Sequence, residues 1–340
     1  MTKYSKTAPE YIPAKHSATR EPKGITVDEA IQLITSEKIS EYDRKLMLNT
    51  LSELYKSARL FQGIRDIPKV TVFGSARTKS NNPDYKLCKD FSKKMVQNGY
   101  MVITGGGPGI MAAGNEGAGA EHSVGLNISL PFEQSENEFV THSQYLITYN
   151  YFFSRKLMFV READAIVLFP GGFGTMDEGF EVLTLVQTGR AKPMPIVLME
   201  QEGGTYWEEW LAFVKKALLK TGLISPDDMY LFRRFHNSKD AVEYINGFYT
   251  RFHSLRYVDD KVVIRMKSEL PAELKKQLTK KFADIIADQG LENNGPLPGE
   301  IDEPELAALP RIVLKYNRDN PARLFRFLRA INGDACKEIV

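Results

Sequence analysis

Five runs of apolar residues, most of them stopped by glycine or proline, constrain this chain more than any other feature. Lys69-Val70-Thr71-Val72-Phe73 runs into Gly74-Ser75, residues 100–104 run into Gly105-Gly106-Gly107, and residues 165–169 run into Pro170-Gly171-Gly172. Residues 124–128 end near Pro131, and residues 194–199 form a fifth run. Strands that are apolar throughout, and not at every second position, belong to parallel sheets covered on both faces. The segments between them are long enough for crossover helices. The expected fold is therefore a doubly wound, Rossmann-like α/β sheet.

The flanks differ in texture. Residues 1–24 mix Lys, Thr, Ser and Pro with few apolar anchors and read as a mobile arm or a strap for a neighbouring subunit. Thr26-Val27-Asp28-Glu29 has the form of a capping box and opens a helical segment over 25–65, broken near Ile39-Ser40. We assign that segment to packing and give it no chemistry. The α/β domain spans 66–254. Residues 255–340 form a small α+β appendage: a strand at 261–266, a helix from Pro271 to about Gln289, a Gly/Pro loop, a strand at 312–316 and a helix at 321–331. Its Arg311, Lys315, Arg318, Arg323, Arg326 and Arg329 read as solvated faces or as an effector patch.

Composition removes several classes of function. The 340 residues fit one large domain plus a smaller one. Lys+Arg 45 against Asp+Glu 43 is too balanced for a chain that coats nucleic acid or acidic lipid. Cys88 and Cys336, the 2 cysteines, support neither a disulfide scaffold nor a zinc site. No apolar run approaches the roughly 20 residues needed to span a bilayer. The first residues lack the apolar core of a signal peptide. A soluble protein of a reducing compartment, the cytoplasm, is expected, with no metal and no cofactor.

The glycine clusters hold the chemistry. In an open parallel sheet, ligands bind beyond the carboxyl ends of the strands, where loops and helix N-termini present backbone N–H groups. Three such loops occur: Gly74-Ser75-Ala76-Arg77, Gly105-Gly106-Gly107-Pro108-Gly109 and Pro170-Gly171-Gly172-Phe173-Gly174-Thr175. Ser75, Arg77, Gly105, Gly106 and Gly107 thus join the third loop as candidate phosphate contacts. No Gly-Lys-Ser/Thr follows any of them, so none is a Walker loop. Gly105-x-Gly107 lacks the third glycine of a dinucleotide fingerprint, and Asn127-Ile128-Ser129 offers no acid for a ribose. A helix can open at Thr175 as N-cap, with Glu178 closing a capping box or serving a ligand one turn inside. Arg155-Lys156 near a helix start opposes the helix dipole unless an anion is close.

Pro170-Gly171-Gly172-Phe173-Gly174-Thr175-Met176-Asp177-Glu178 resembles the PGGxGTxxE signature of the LOG family, the cytokinin riboside 5'-monophosphate phosphoribohydrolases, many once labelled lysine decarboxylases. Arg155-Lys156 upstream, Gly105 to Met111 and Phe73 to Arg77 extend the likeness over residues 69–223. The resemblance implies hydrolysis of a nucleoside 5'-monophosphate to free base and ribose 5-phosphate. It implies Arg155 and Glu178 as the catalytic pair, and Lys156, Gly172, Phe173, Gly174, Thr175 and Thr184 as nucleotide contacts, with Glu133 a further one. It also implies a homodimer or larger assembly, since the family builds its sites near a subunit interface. The compact plant enzymes lack both flanks, so a cytokinin precursor and a general purine or pyrimidine nucleotide both remain open as substrate. A pyridoxal phosphate lysine site, which a decarboxylase needs, finds no support. The competing reading is a non-catalytic nucleotide or molybdenum-cofactor carrier on the same fold. A single-stranded DNA-binding protein on a related sheet is disfavoured by the charge balance.

Overall fold

The computed structural model describes residues 26–36, 38–129, 136–258, 261–286, 291, 295–316 and 320–333. The expected arm at 1–24 and Glu133 lie outside the described residues. The N-terminal segment is two helices, α1 (Val27–Thr35) and α2 (Glu41–Gln62). The capping box opens α1 as expected: Thr26 Oγ1 accepts from the Glu29 amide, and Glu29 accepts from the Thr26 amide.

The first sheet has seven strands: β1 (Lys69–Phe73), β2 (Met101–Thr104), β3 (Ser123–Ile128), β4 (Leu146–Tyr149), β5 (Ala165–Leu168), β6 (Ile196–Met199) and β7 (Phe232–Phe235). All pair in parallel, in the order β4-β3-β2-β1-β5-β6-β7. Val70 of β1 stands between Val102 and Ala165. The chain builds outward from β1 to β4, then returns to lay β5, β6 and β7 on the other side. β1 and β5 therefore flank the switch point at which open α/β sheets bind ligands. The two edge strands, β4 and β7, were not among the apolar runs. Thr148 is exposed, and Arg233-Arg234 interrupt β7, so neither reads as continuously apolar.

Both faces of the sheet are covered, which is why the inner strands need no polar side. One face, with Val70, Val72, Val102 and Val167, packs on α3 (Pro83–Gln97), α4 (Ile110–Ala118) and α8 (Ser238–Phe248) through Phe91, Ala113 and Ile245. The other, with Phe73, Ile103, Leu126 and Ile166, faces α5 (Phe152–Arg161), α6 (Phe173–Gln187) and α7 (Tyr206–Phe213). Burying each large apolar side chain contributes about 1.5–3 kcal/mol.

β8 (Phe252–Val258) carries the chain without a linker into a second, antiparallel sheet, ordered β10-β9-β8, with β9 (Lys261–Met266) and β10 (Arg311–Lys315). Two helices complete it, α9 (Ala272–Lys281) and α10 (Pro321–Ile331). Their Phe282, Phe325 and Phe327 join the same apolar cluster as the second face of the first sheet. The helix expected to reach about Gln289 stops eight residues earlier, at Lys281.

The four described C-terminal arginines, Arg311, Arg323, Arg326 and Arg329, are neither a solvated face nor an open patch. Arg311 and Arg329 are each 1% exposed. Arg323 pairs with Asp284, and Arg326 pairs with Asp227 while lying over the Tyr230 ring. Their charges are spent on packing the appendage. Arg318 and the Lys315 side chain lie outside the described residues. Beside them, Arg265 makes bonds of 2.9 and 2.7 Å to Glu300 Oε1 and 2.6 Å to Glu303 Oε2, pinning the 295–310 loop to the second sheet. Among the described residues, no helix is long and apolar enough to cross a membrane.

Candidate active site

The adjacency of β2, β1 and β5 brings the three glycine loops to one rim. The Ser75 amide donates to the Pro170 carbonyl (3.1 Å), and the Ile110 amide donates to the Ser75 carbonyl (3.0 Å), so the first loop is stitched between the other two. Some of the glycines are there for packing. A Cβ on Gly109 would lie 2.2 Å from the Ser75 carbonyl oxygen, and one on Gly171 would lie 2.1 Å from Thr175 Oγ1. Gly172 and Gly174 differ: a Cβ on either would meet nothing within 4 Å. These two present bare backbone to open space. Arg77 is exposed, and its amide donates to Ser75 Oγ (3.1 Å).

α6 starts earlier than expected. Its N-cap is Gly172, with no side-chain cap bond, and its first residue is Phe173. Thr175 is thus the third residue of the helix, and Glu178 lies nearly two turns in. The capping box expected of Thr175 and Glu178 does not form, because the bare backbone of Gly172 already allows the helix to begin. The first-turn amides of α6 therefore receive no side-chain cap from Gly172. Phe173 is 97% exposed at this mouth. Thr184 is exposed and donates to the Phe180 carbonyl of its own helix (2.7 Å).

Glu178 is 6% exposed, and its Oε2 has no hydrogen-bond partner among the described residues. Burial pushes its carboxyl up to about 7, against the pull of the nearby Lys156 and Arg155. Leaving a buried carboxyl oxygen without a hydrogen bond is costly, which makes Glu178 a candidate functional group. α5 supplies its neighbours. Lys156 forms ion pairs of 2.7 Å with Asp177 and Glu181, and lies 3.7 Å from Glu178 Oε2. Burial works against its ammonium, but the bonds to Asp177 and Glu181 outweigh it and raise its pKa.

Arg155 turns its guanidinium over the Phe152 and Phe159 rings, at 4.9 and 5.4 Å, with Nη1 3.8 Å from where a Gly105 Cβ would stand. Its Nε is buried without a hydrogen bond among the described residues, and burial pushes its pKa down while the charge of Glu178 pushes back. The arrangement therefore sets a basic, planar donor and a buried carboxylate beside an amide-lined mouth. Such a set can grip an anion and stabilise positive charge a few ångströms from it.

Sequence reasoning missed the residues that brace this rim. Asn137 Nδ2 donates to the Gly106 and Gly107 carbonyls, both at 2.9 Å, and Tyr206 donates its hydroxyl to the Gly171 carbonyl (2.5 Å). Nothing in the local pattern signals either. Glu53 and Ser57 did carry a signal: they share the buried stripe of α2 with Phe61, at i, i+4 and i+8, where apolar residues are the rule.

Residues 108–245 match the family model described as "Possible lysine decarboxylase". A curated relative, the cytokinin riboside 5'-monophosphate phosphoribohydrolase LOG7 of Arabidopsis thaliana, is 33% identical over 101 residues, 30% of this chain and 45% of that protein. The chain thus spans less than half the length of this relative. LOG5 of the same plant is 25% identical over 207 residues, 59% of this chain and 84% of the relative. Among solved structures, the molybdenum cofactor carrier protein of Chlamydomonas reinhardtii is 18% identical with a TM-score of 0.37, over 53% of this chain and 96% of that one. The motifs at Gly105, Arg155 and Pro170 and these sequence matches point the same way: the family that this chain resembles is LOG, under the family model once described by lysine decarboxylation.

Proposed function

We propose that this protein is a phosphoribohydrolase that cleaves the N-glycosidic bond of a nucleoside 5'-monophosphate. The observation that carries the reading is the buried Glu178 carboxyl beside Arg155, its Oε2 without a hydrogen bond among the described residues, next to an α6 N-terminus with bare glycine backbone. The reaction named for the curated relatives supports it.

The chemistry follows from the charges. Breaking the bond between C1' and the base nitrogen leaves its electron pair on the base and builds positive charge on the ribose. Ionised Glu178 stabilises that charge and orients the water that adds to C1', and the proton the water loses ends on the departing base nitrogen. Arg155 favours the negative charge that gathers on the departing base, or fixes the nucleotide through its planar donors. The amides of 172–175 hold the 5'-phosphate, so binding energy far from the reacting bond is spent on orienting it. Lys156 is committed to Asp177 and Glu181, and it acts by holding α5 against α6 as well as by its charge. A homodimer or larger assembly is part of the proposal, and light scattering of the purified chain measures it.

The test is chromatography of incubations with purine and pyrimidine nucleoside 5'-monophosphates, each beside the nucleoside without phosphate. Free base from monophosphates, with little from nucleosides, is the expected outcome. Nucleotides that bind but are recovered whole identify a carrier instead.

A further inference from the structure

The helical segment to which the sequence assigned no chemistry reaches the site through a buried acid. Glu53, on α2, is 3% exposed. Its Oε1 accepts from the Asn150 amide (2.7 Å) and from Asn150 Nδ2 (2.9 Å), and its Oε2 accepts from the Ser154 hydroxyl. One turn further along α2, Ser57 Oγ meets the Tyr149 hydroxyl at 2.7 Å. Tyr149 ends β4, Asn150 precedes the N-cap of α5, and Ser154 directly precedes Arg155. The clamp therefore holds both sides of the turn from β4 into α5.

This turn has no cap of its own. Tyr151, the N-cap of α5, makes no side-chain cap bond. The helix then carries Arg155 and Lys156 in its first two turns, where positive charge opposes the helix dipole. A carboxylate at the same end offsets the second of these: it places negative charge near the positive end of the dipole, while its bonds to Asn150 and to the Ser154 hydroxyl tie the turn to α2. Replacing it with an apolar side chain removes three bonds between α2 and the turn, leaving the Ser154 hydroxyl only the Tyr151 carbonyl (3.0 Å), which loosens the segment that aims Arg155.

We propose that Glu53 is a positioning residue that sets Arg155 against Glu178 by bracing the turn into α5 from another helix. The inference rests on the phosphoribohydrolase reading for its catalytic consequence, though not for its geometry. It gives the N-terminal segment a part in the site that lies outside the residues matched by the family model.

The test uses the full chain and the variants Glu53→Ala, Glu53→Gln and Ser154→Ala, with kcat and KM on a nucleotide that the wild type cleaves. Hydrogen exchange across residues 149–160 is measured in parallel. Expected for Glu53→Ala is a fall in kcat of roughly ten- to a hundred-fold, the scale of a misplaced catalytic group, with KM changed far less. Exchange rises in the first turns of α5 and not in α3. Glu53→Gln, which keeps an acceptor for Asn150, recovers much of the rate, and Ser154→Ala shows a smaller fall of the same kind. A folded Glu53→Ala with wild-type kcat and unchanged exchange overturns the proposal. So does a variant that merely melts earlier while its folded fraction turns over normally. If Glu53→Ala does not fold, Glu53→Gln and Ser154→Ala decide by the same two readouts. If the wild type releases no base from any nucleotide, the reading of the reaction falls, and exchange alone decides whether Glu53 holds the start of α5.

Discussion

Lys156 lies 3.7 Å from Oε2 of Glu178, beyond hydrogen-bond reach, while its short ion pairs go to Asp177 and Glu181. The nearest cation thus lowers the cost of charging Glu178 without occupying it. Burial prevails over that attraction, and the carboxyl titrates near neutrality.

This has a consequence for stability. The folded-state pKa of Glu178 is raised from about 4.5 to about 7, so the folded protein holds its proton more tightly than the unfolded chain does. The associated stability is fully present below about pH 4.5 and is lost as pH rises through about 7, by roughly 3 kcal/mol. Glu178→Gln does not titrate. Its Tm relative to wild type should climb across that window and then level off, as read by thermal melts from pH 5 to 9.

Catalysis should run the other way. If ionised Glu178 does the work proposed, kcat/KM should rise with pH through about 7, and the same limb in kcat should lie higher, because a bound phosphate adds its own negative charge. A pH–rate profile between 5 and 9 measures this limb. A profile that falls over the same range would instead make Glu178 a proton donor.

Arg155 should tolerate no replacement. Arg155→Ala removes the charge, and Arg155→Lys keeps it but loses the planar donors that lie over Phe152 and Phe159. Both should lose roughly a hundred-fold or more in kcat. Steady-state kinetics with normal turnover in either variant would remove Arg155 from the mechanism.

Two adjacent glycines should part company. In Gly171→Ala the new methyl falls 2.1 Å from Thr175 Oγ1 and 3.0 Å from the Ser75 amide nitrogen, so the rim must shift, at about 1–3 kcal/mol. In Gly172→Ala it meets nothing within 4 Å, and the backbone at φ −88° suits any residue. The first should lower Tm. The second should leave Tm unchanged and weaken nucleotide binding roughly ten-fold, about 1.4 kcal/mol, by standing where the phosphate belongs. Melting curves and titration of nucleotide binding separate the two.

The legible parts of this fold are those where burial on both faces forces an unbroken apolar run, as in β1, β2, β3, β5 and β6. Edge strands β4 and β7 escaped because Thr148 and Arg233-Arg234 follow a one-sided or mixed pattern. The glycine loops and the Arg155/Glu178 pair were legible as motifs, but the choice between a capping box and a ligand-facing acid at Glu178 was not. Thr175 to Glu178 fits a capping box, and only the start of α6 at Phe173 rules that out. Glu53 was hidden for a different reason: its partners lie about a hundred residues away, at Asn150 and Ser154. Its one local trace was a polar residue on the buried stripe of α2. The C-terminal arginines misled in the opposite direction, since charge on a helix reads as solvated until its partners, Asp227 and Asp284, are in place.

The most direct test of the central claim is to quantify free base and ribose 5-phosphate released from nucleoside 5'-monophosphates by wild type and by Glu178→Gln at equal nucleotide occupancy. The account predicts equimolar base and sugar phosphate from the wild type and neither from the variant. Equal release by the two proteins, or none by a wild type that binds the nucleotide fully, would contradict it.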